Sequence, residues 1–247
     1  MKNQYEEAAE VIKNSSSCIA LTGAGVSVES GIPDFRSAGG LWEKYDPAIY
    51  ASIDTFNSDP EMVWEMLFDM ADLTVNAKPN AGHLALAELE ELGYLKTIIT
   101  QNVDNLHQEA GNESVIEYHG NNSSLECMKC GNIYKADEFK IDGETAPECK
   151  DCNKILKPTV IFFGEMIPKK ALMESQILAE SADVVLVCGT SAVVYPVAGI
   201  PLIAKQNGAT LIEFNLEETG LTGNVTDIFI KGPTGTTLPE LIKHIKV

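Results

Sequence analysis

Cys18-Ile-Ala-Leu-Thr22 runs directly into Gly23-Ala-Gly-Val-Ser-Val-Glu-Ser-Gly-Ile-Pro-Asp-Phe-Arg36. The apolar run before the glycines reads as a buried strand. A strand, then Gly-x-Gly, then a hydroxyl residue is how a chain turns sharply to set backbone N–H groups against a phosphate. The stretch ends in Arg36, the only arginine of 18 basic residues. A planar, permanently charged donor beside a phosphate-binding turn is a use for which lysine is a poor substitute.

Composition sets the frame around that turn. A chain of 247 residues suits one large domain carrying insertions, with a sizeable core. Its hydrophobic share of 45% and charged share of 22% are those of an ordinary globular protein. The net charge of −18 argues against unaided binding to nucleic acid or an anionic membrane. It suits a basic partner such as a lysine-rich peptide, and equally a general demand for solubility. Residues 1–14 are polar and acidic rather than leader-like, and no apolar run approaches the ~18–20 residues that span a bilayer. A soluble, cytoplasmic protein is expected.

Short apolar strands alternate with helical patterns along the chain. Residues 4–14 predict an amphipathic helix, 82–92 a helix stopped by Gly93, 169–181 and 197–207 two more, and 238–246 a last one. Strands are expected at 18–22, 96–100, 114–118, 183–188 and 210–214, with 159–163 extended. The expected fold class is α/β: a Rossmann-like parallel sheet covered on both faces. Residues 37–76 change texture to aromatics, methionines and acids and predict a helical insertion, while 121–158 are polar and carry four cysteines.

Those four are Cys127-x2-Cys130 and Cys149-x2-Cys152, with 18 residues between the pairs. Each pair offers two thiolates from one tight turn, and two turns complete a tetrahedron around zinc. Four thiolates close the coordination sphere, so the zinc would be structural, stapling a segment too polar for a core of its own. Disulfides are the alternative in a secreted chain. Cys18 and Cys188 lie in apolar strands and read as core.

Thr100-Gln-Asn-Val-Asp-Asn-Leu-His107 follows a predicted strand, and ligands of open α/β sheets sit at the carboxyl ends of strands. Gln101, Asn102 and Asp104 suit a grip on a polar ligand; a capped helix start explains Asp104 as well. His119 ends the next strand and is a candidate base near neutral pH. His107 competes for that role but falls inside a helical turn, and His83 and His244 are given none.

Taken in order, Gly23–Arg36, Gly40-Leu-Trp42, Thr100–His107, Glu117-Tyr-His-Gly120, the cysteine quartet, Lys157-Pro-Thr-Val-Ile-Phe-Phe-Gly-Glu165, Cys188-Gly-Thr-Ser-Ala-Val-Val-Tyr-Pro196 and Phe214-Asn215 resemble the sirtuin family of NAD-dependent protein-lysine deacylases. The resemblance spans essentially the whole chain, and the combination is specific where no single piece is. It implies a large domain from 1–36, 77–120 and 159–247, with a small domain from the helical insertion 37–76 and a zinc ribbon at 121–158, and NAD in the cleft between them.

The resemblance also assigns residues. Gly23, Ala24 and Gly25 would receive the pyrophosphate, and Phe35, Arg36 and Trp42 would border the cofactor. Gln101, Asn102, Val103 and Asp104 would hold the nicotinamide ribose and amide. Gly189, Thr190 and Ser191 would take the phosphate and ribose side, Asn215 the adenosine ribose, and Leu216, Glu217 and Thr234 the adenine end. Asn102 and His119 would be catalytic, with His119 removing a proton from the ribose hydroxyls. An acyl-lysine peptide, preferably basic, would add as a strand between 160–165 and 192–195, touching Val160, Phe162, Phe163, Gly164, Glu165 and Val193. Val160 and Ile161 are explained equally well as core.

Departures from relatives carry information too. Relatives that take succinyl or malonyl groups carry Tyr and Arg where this chain has Leu67 and Met70, so neutral acyl groups are expected here. Lys157 stands where many relatives have arginine, with little effect expected on the chemistry. An ADP-ribosyltransferase or NAD glycohydrolase would use the same cleft, and a non-catalytic NAD-binding module is the third reading.

Overall fold

A computed structural model describes residues 3–36 and 39–247. Ser37 and Ala38, where the helical insertion was expected to begin, lie outside the described residues, as do Met1 and Lys2. The strands are β1 (Cys18–Thr22), β2 (Thr97–Thr100), β3 (Val115–Glu117), β4 (Ser124–Glu126), β5 (Ile133–Lys135), β6 (Lys157–Pro158), β7 (Val184–Cys188), β8 (Thr210–Asn215) and β9 (Ile228–Lys231). The helices are α1 (Gln4–Lys13), α2 (Leu41–Lys44), α3 (Pro47–Tyr50), α4 (Ile53–Ser58), α5 (Pro60–Thr74), α6 (Ala81–Glu91), α7 (Leu106–Ala110), α8 (Lys169–Ser181), α9 (Ile200–Gln206) and α10 (Thr234–Ile245). Among the described residues no helix is long and apolar enough to cross a membrane.

Six strands form one parallel sheet in the order β3-β2-β1-β7-β8-β9. The alternation of side chains along each strand explains why these runs are apolar throughout. Cys18, Ala20, Ile98, Val184, Leu186 and Cys188 face a core built with α1, α6 and α10. Their neighbours Ile19, Leu21, Ile99, Val185 and Val187 face a second core with α8 and α9. The chain builds outward from β1 to β3, then returns to lay β7 to β9 on the other side of β1. The order reverses between β1 and β7, and a crevice opens above their carboxyl ends. Register puts Thr22 level with Thr100 and with Cys188, so Gly23, Gln101 and Gly189 leave the sheet together.

A third core lies away from the sheet. Leu41, Tyr45, Phe56, Val63, Trp64, Met66 and Leu67 of the helical insertion share it with Leu125, Cys127, Cys149 and Leu156 of the cysteine-bearing segment. The Trp64 indole N–H donates to the Leu156 carbonyl at 2.9 Å, joining the two insertions at their centre. The cysteine segment contributes the small antiparallel sheet β5-β4-β6.

Three local expectations change. Thr159–Phe163 joins neither sheet: pairing ends at Pro158, and beyond it the segment makes one β-bridge to the helical insertion, Ser52 to Phe163, and packs Phe162 against Phe56. The last helix begins at Thr234, one turn early, because Thr234, Thr237 and Leu238 bury their side chains despite a weakly helical Thr-Gly-Thr-Thr run. It tolerates Pro239 within its length. The edge strand β9, four residues long, escapes a periodicity reading.

Candidate active site

Close backbone approach shapes the floor of the crevice. The Gly23 N–H donates to Cys188 O at 3.1 Å and the Gly25 N–H to Gly189 O at 2.9 Å. A Cβ on Gly23 would lie 2.7 Å from the Thr190 Cβ, and one on Gly25 would lie 2.8 Å from Gly189 O. Gly189 itself has φ of +56°. Two glycine turns, after β1 and after β7, therefore interlock as only glycine permits. The Gly23 and Gly25 N–H groups are spent on the second turn and the Gly189 N–H on Phe214 O at 2.9 Å, which leaves the Ala24 N–H at the head of the short turn Ala24–Val26.

Polar side chains from β2 rise beside this floor. Gln101 Nε2 donates to Thr190 Oγ1 at 2.9 Å and to Thr22 O at 3.2 Å, tying β2 to the loop after β7. Asn215, at the end of β8, donates to Thr190 O at 3.0 Å. Asn102 is 8% exposed and donates to Gly23 O at 3.2 Å and Ser27 Oγ at 3.1 Å. Ser27 Oγ in turn donates to Asp104 Oδ2 at 2.6 Å. Asp104 also accepts from Leu106 N at 3.0 Å, so it takes up the first N–H of α7, one residue before the cap position Asn105, as well as facing this cluster. Asn80 caps α6, and its own N–H donates to His83 Nδ1 at 3.3 Å. The His83 proton therefore sits on Nε2, 3.4 Å from Ser27 Oγ.

The three histidines near the crevice differ sharply. His107 is 1% exposed, with Nε2 2.9 Å from Thr22 Oγ1 and Nδ1 buried without a partner. Burial, then the neighbouring His83, pushes its pKa down to about 3. Burial pushes His83 down to about 4 against the opposing pull of Asp104. His119 is half-buried at the end of β3, with Nδ1 3.2 Å from Gln101 O. A carbonyl only accepts, so Nδ1 carries the proton and Nε2 keeps its lone pair. Burial lowers the His119 pKa and the Gln101 hydrogen bond partly restores it. His119 is thus neutral at pH 7, with one ring nitrogen unprotonated.

The walls come from loops and the third core. Phe35 stacks on Trp42 at 4.9 Å, and Arg36 is exposed beside them. Phe162 is buried, Val160 and Glu165 are half-buried, and Phe163, Gly164 and Val193 are exposed. Ile161 N–H donates to His119 O at 2.9 Å, so this segment runs beside the base. Leu67 is buried in the third core, with Met70 packed against it. Leu216 and Glu217 are exposed, Glu217 pairing with Lys231 at 2.9 Å. Val103 and Ser191 sit at the rim, and Thr234 is 3% exposed with its Oγ1 unpartnered. An interlocked glycine cradle, polar groups at five strand ends and an orphaned buried hydroxyl fit a dinucleotide laid across the switch point.

Sequence reasoning missed the parts played by five residues. Ser27 is the hub of the Asn102–Asp104–His83 cluster, yet it reads as one hydroxyl in a glycine-rich turn. Thr22 and Thr100 bond each other at 2.9 Å beneath the site, hidden as strand-end residues. Glu213, fully buried on β8, accepts from Thr219, Thr222 and Thr226 hydroxyls at 2.6, 2.7 and 2.8 Å and so ties down the loop that follows Asn215. Lys157 is fully buried rather than a surface lysine.

The cysteine quartet stands apart from the crevice. All four Sγ atoms lie within 4.8 Å of one another, with Cys127–Cys152 at 3.4 Å and Cys130–Cys149 at 3.6 Å. A tetrahedral zinc with Zn–S near 2.3 Å sets thiolates about 3.8 Å apart, so the donor set fits. All four cysteines are free thiols, against the disulfide alternative. Gly131, with φ of +76°, allows the reversal in which its N–H meets Cys127 O at 2.8 Å.

Comparison with known proteins agrees with this geometry. The Sir2 family profile matches residues 23–196. The NAD-dependent protein deacylase of Thermococcus sibiricus is 45% identical over 246 residues, 98% of this chain and 96% of its own. A Sir2 homologue crystallised with NAD superposes with a TM-score of 0.91 at 44% identity, covering 98% of this chain and 93% of that one. Sir2Af2 bound to a myristoylated histone peptide gives 0.85 at 35% identity, covering 100% and 98%. The chain belongs to the Sir2 family. It is a sirtuin-type enzyme with the Sir2 fold.

Proposed function

We propose that this chain is an NAD-dependent protein-lysine deacylase in which His119 is the general base. The observation that carries the reading is the free Nε2 of a neutral His119, beside Asn102 and above the glycine cradle. NAD would be consumed as co-substrate, supplying an electrophilic ribose carbon and nicotinamide as the leaving group. Asn102, held by Gly23 O and Ser27, would orient the ribose. Gln101 would contact the same ribose and Asp104 the nicotinamide amide. Ala24 and the loop Gly189–Ser191 would take the phosphates, Asn215 the far ribose, and Leu216, Glu217 and Thr234 the adenine end. His119 Nε2 would accept a ribose hydroxyl proton, while the Gln101 carbonyl steadies the imidazolium that forms.

The acyl-lysine peptide would lie along 160–165 and 192–195, with the lysine stem beside Val160 and Phe162. Leu67 and Met70 present no cation to an acyl group, which favours neutral chains. Basic peptides suit the chain's charge of −18. The proposed domain division is 1–36, 77–120 and 159–247 against 37–76 and 121–158; the separate cores support it, with Phe162 of the large division crossing into the third core. Cys127, Cys130, Cys149 and Cys152 would hold one structural zinc. The test is incubation with NAD and an acetyl-lysine peptide, followed by mass spectrometry. Free lysine peptide, nicotinamide and O-acetyl-ADP-ribose are expected in equal amounts; ADP-ribosylated protein or bare ADP-ribose without deacetylation would overturn the reading.

A further inference from the structure

Lys157 is the one buried lysine or arginine among the described residues, with a side chain 0% exposed. Its ammonium lies 3.0 Å from Pro158 O and 2.7 Å from Val160 O, both on the segment it opens. It meets Glu165 Oε2 at 3.1 Å and Glu126 Oε1 at 3.3 Å, and it sits 4.7 Å from the centre of the Phe162 ring. The same Glu165 oxygen accepts the Phe162 N–H at 2.7 Å. Both the ring and the backbone of Phe162 are thereby fixed from one ammonium. The flanking N–H groups go elsewhere: Ile161 to His119 O at 2.9 Å and Phe163 to Ala51 O at 2.8 Å.

We propose that Lys157 is a positioning residue that clamps segment 158–165 so that Phe162 stays aligned beside His119. The inference rests on the reading that this segment borders the acyl-lysine. The three N–H donors of the ammonium meet the Pro158 and Val160 carbonyls and the Glu126 carboxylate, with Glu165 as a second ion-pair partner, a match no neutral side chain provides. Glu126 adds a link to the cysteine segment, since it immediately precedes Cys127 on β4. The clamp is thus the mechanical route by which a zinc ribbon that never touches substrate governs the substrate wall. Removing the cation leaves the half-buried Glu165 without its counter-charge and the Pro158 and Val160 carbonyls without their donor, and the segment must loosen to hydrate them.

The experiment compares the zinc-loaded wild type with Lys157→Met and Lys157→Arg. Zinc content, ADP-ribose affinity, peptide KM, kcat and hydrogen exchange of residues 159–166 are measured on each. Lys157→Met should keep its zinc and bind ADP-ribose within about twofold of wild type, while peptide KM rises about tenfold and exchange in 159–166 accelerates. Lys157→Arg should recover most of the KM, because a guanidinium supplies the same donors. An unchanged peptide KM in Lys157→Met would overturn the proposal, as would equal losses of zinc, ADP-ribose binding and peptide binding. Should Lys157→Met fail to fold, Glu165→Gln read by exchange alone decides: faster exchange confined to 159–166 supports the clamp, and wild-type exchange there overturns it. A wild type that turns over no acyl-lysine peptide would instead refute the underlying functional reading.

Discussion

The parallel sheet and the cysteine ribbon hold their strands together by opposite means. Every residue of β1, β2 and β7 is buried, and two apolar cores clamp the sheet from both faces. The ribbon strand β5 has two of its three residues exposed, and what the ribbon buries, chiefly Leu125, Cys127, Cys149 and Leu156, it buries against the helical insertion. The sheet is therefore expected to stand on apolar burial alone, whereas the ribbon needs a metal and a neighbour. The crevice lies where sheet-borne polar groups meet a wall positioned by the weaker partner.

The largest break in this comparison is metal removal. Cys130→Ala, or chelation of the wild type, should abolish turnover and remove zinc while leaving most of the sheet's far-ultraviolet dichroism. Both tryptophans, Trp42 and Trp64, lie in the helical insertion; Trp42 stacks on Phe35 at the crevice, and Trp64 reports the joint with the cysteine segment. Loss of the Trp64–Leu156 hydrogen bond should shift the emission to the red. A metal-free variant with full activity and unchanged emission would show that the ribbon stands unaided.

The next effect acts on the sheet's side of the crevice. His119→Ala should lower deacylation by ~10²–10⁴, the usual weight of a general base, while ADP-ribose still binds. Protonation would take the lone pair that the proposed base role of His119 requires, so activity should fall as pH drops through its lowered pKa. Wild-type turnover by His119→Ala, with His107→Asn inactive, would move the base to the other histidine. That result would be hard to reconcile with His107, whose Nε2 is engaged by Thr22 and whose Nδ1 faces no solvent.

A smaller effect belongs to the small-module wall. An acyl carboxylate entering beside Leu67 and Met70 would lose water and find no cation, and Arg36 is exposed on a separate loop. Since each 1.4 kcal/mol is tenfold, acetyl-lysine should be preferred to succinyl-lysine by about tenfold to a hundredfold in kcat/KM. Leu67→Tyr with Met70→Arg should narrow the ratio. Equal turnover of both peptides by the wild type would mean that another residue pairs the carboxylate.

The two regions were also unequally legible. The sheet announces itself because alternate residues of each apolar run face different cores, so whole strands lack charge. The site residues at its strand ends follow from that, since Gln101, Asn102 and His119 fall where β2 and β3 stop. The small module hides its logic. Nothing in Lys157-Pro158 signals an ammonium with no exposure, because its acceptors are backbone carbonyls and two acids 31 and 8 residues away, Glu126 and Glu165. Glu213 is illegible for the same reason: a charge inside an apolar strand is explained only by three threonines of a loop that carries no periodicity. Contacts distant in sequence and polar in character leave no pattern in it.

The gentlest probe of the comparison is acid. His107 and His83, on α7 and α6 under the crevice, are held neutral in the folded protein, at about 3 and about 4 against 6.5 for a free histidine. Below pH 6.5 the unfolded chain takes up protons that the native chain refuses, so stability is complete above that pH. It declines as pH falls toward the native values, each histidine contributing a slope of up to about 1.4 kcal/mol per pH unit. Asparagine cannot titrate, so His107→Asn should flatten the dependence by up to that amount between pH 6 and pH 4, whatever its absolute stability. Thiolate protonation also releases zinc in acid, but that loss reads out in tryptophan emission and should be the same in both proteins. Far-ultraviolet melting of the sheet isolates the histidine term. Identical slopes for wild type and His107→Asn would mean that His107 is already charged in the folded protein, and that the buried side of the crevice is not the dry, neutral support that its hydrogen bonds describe.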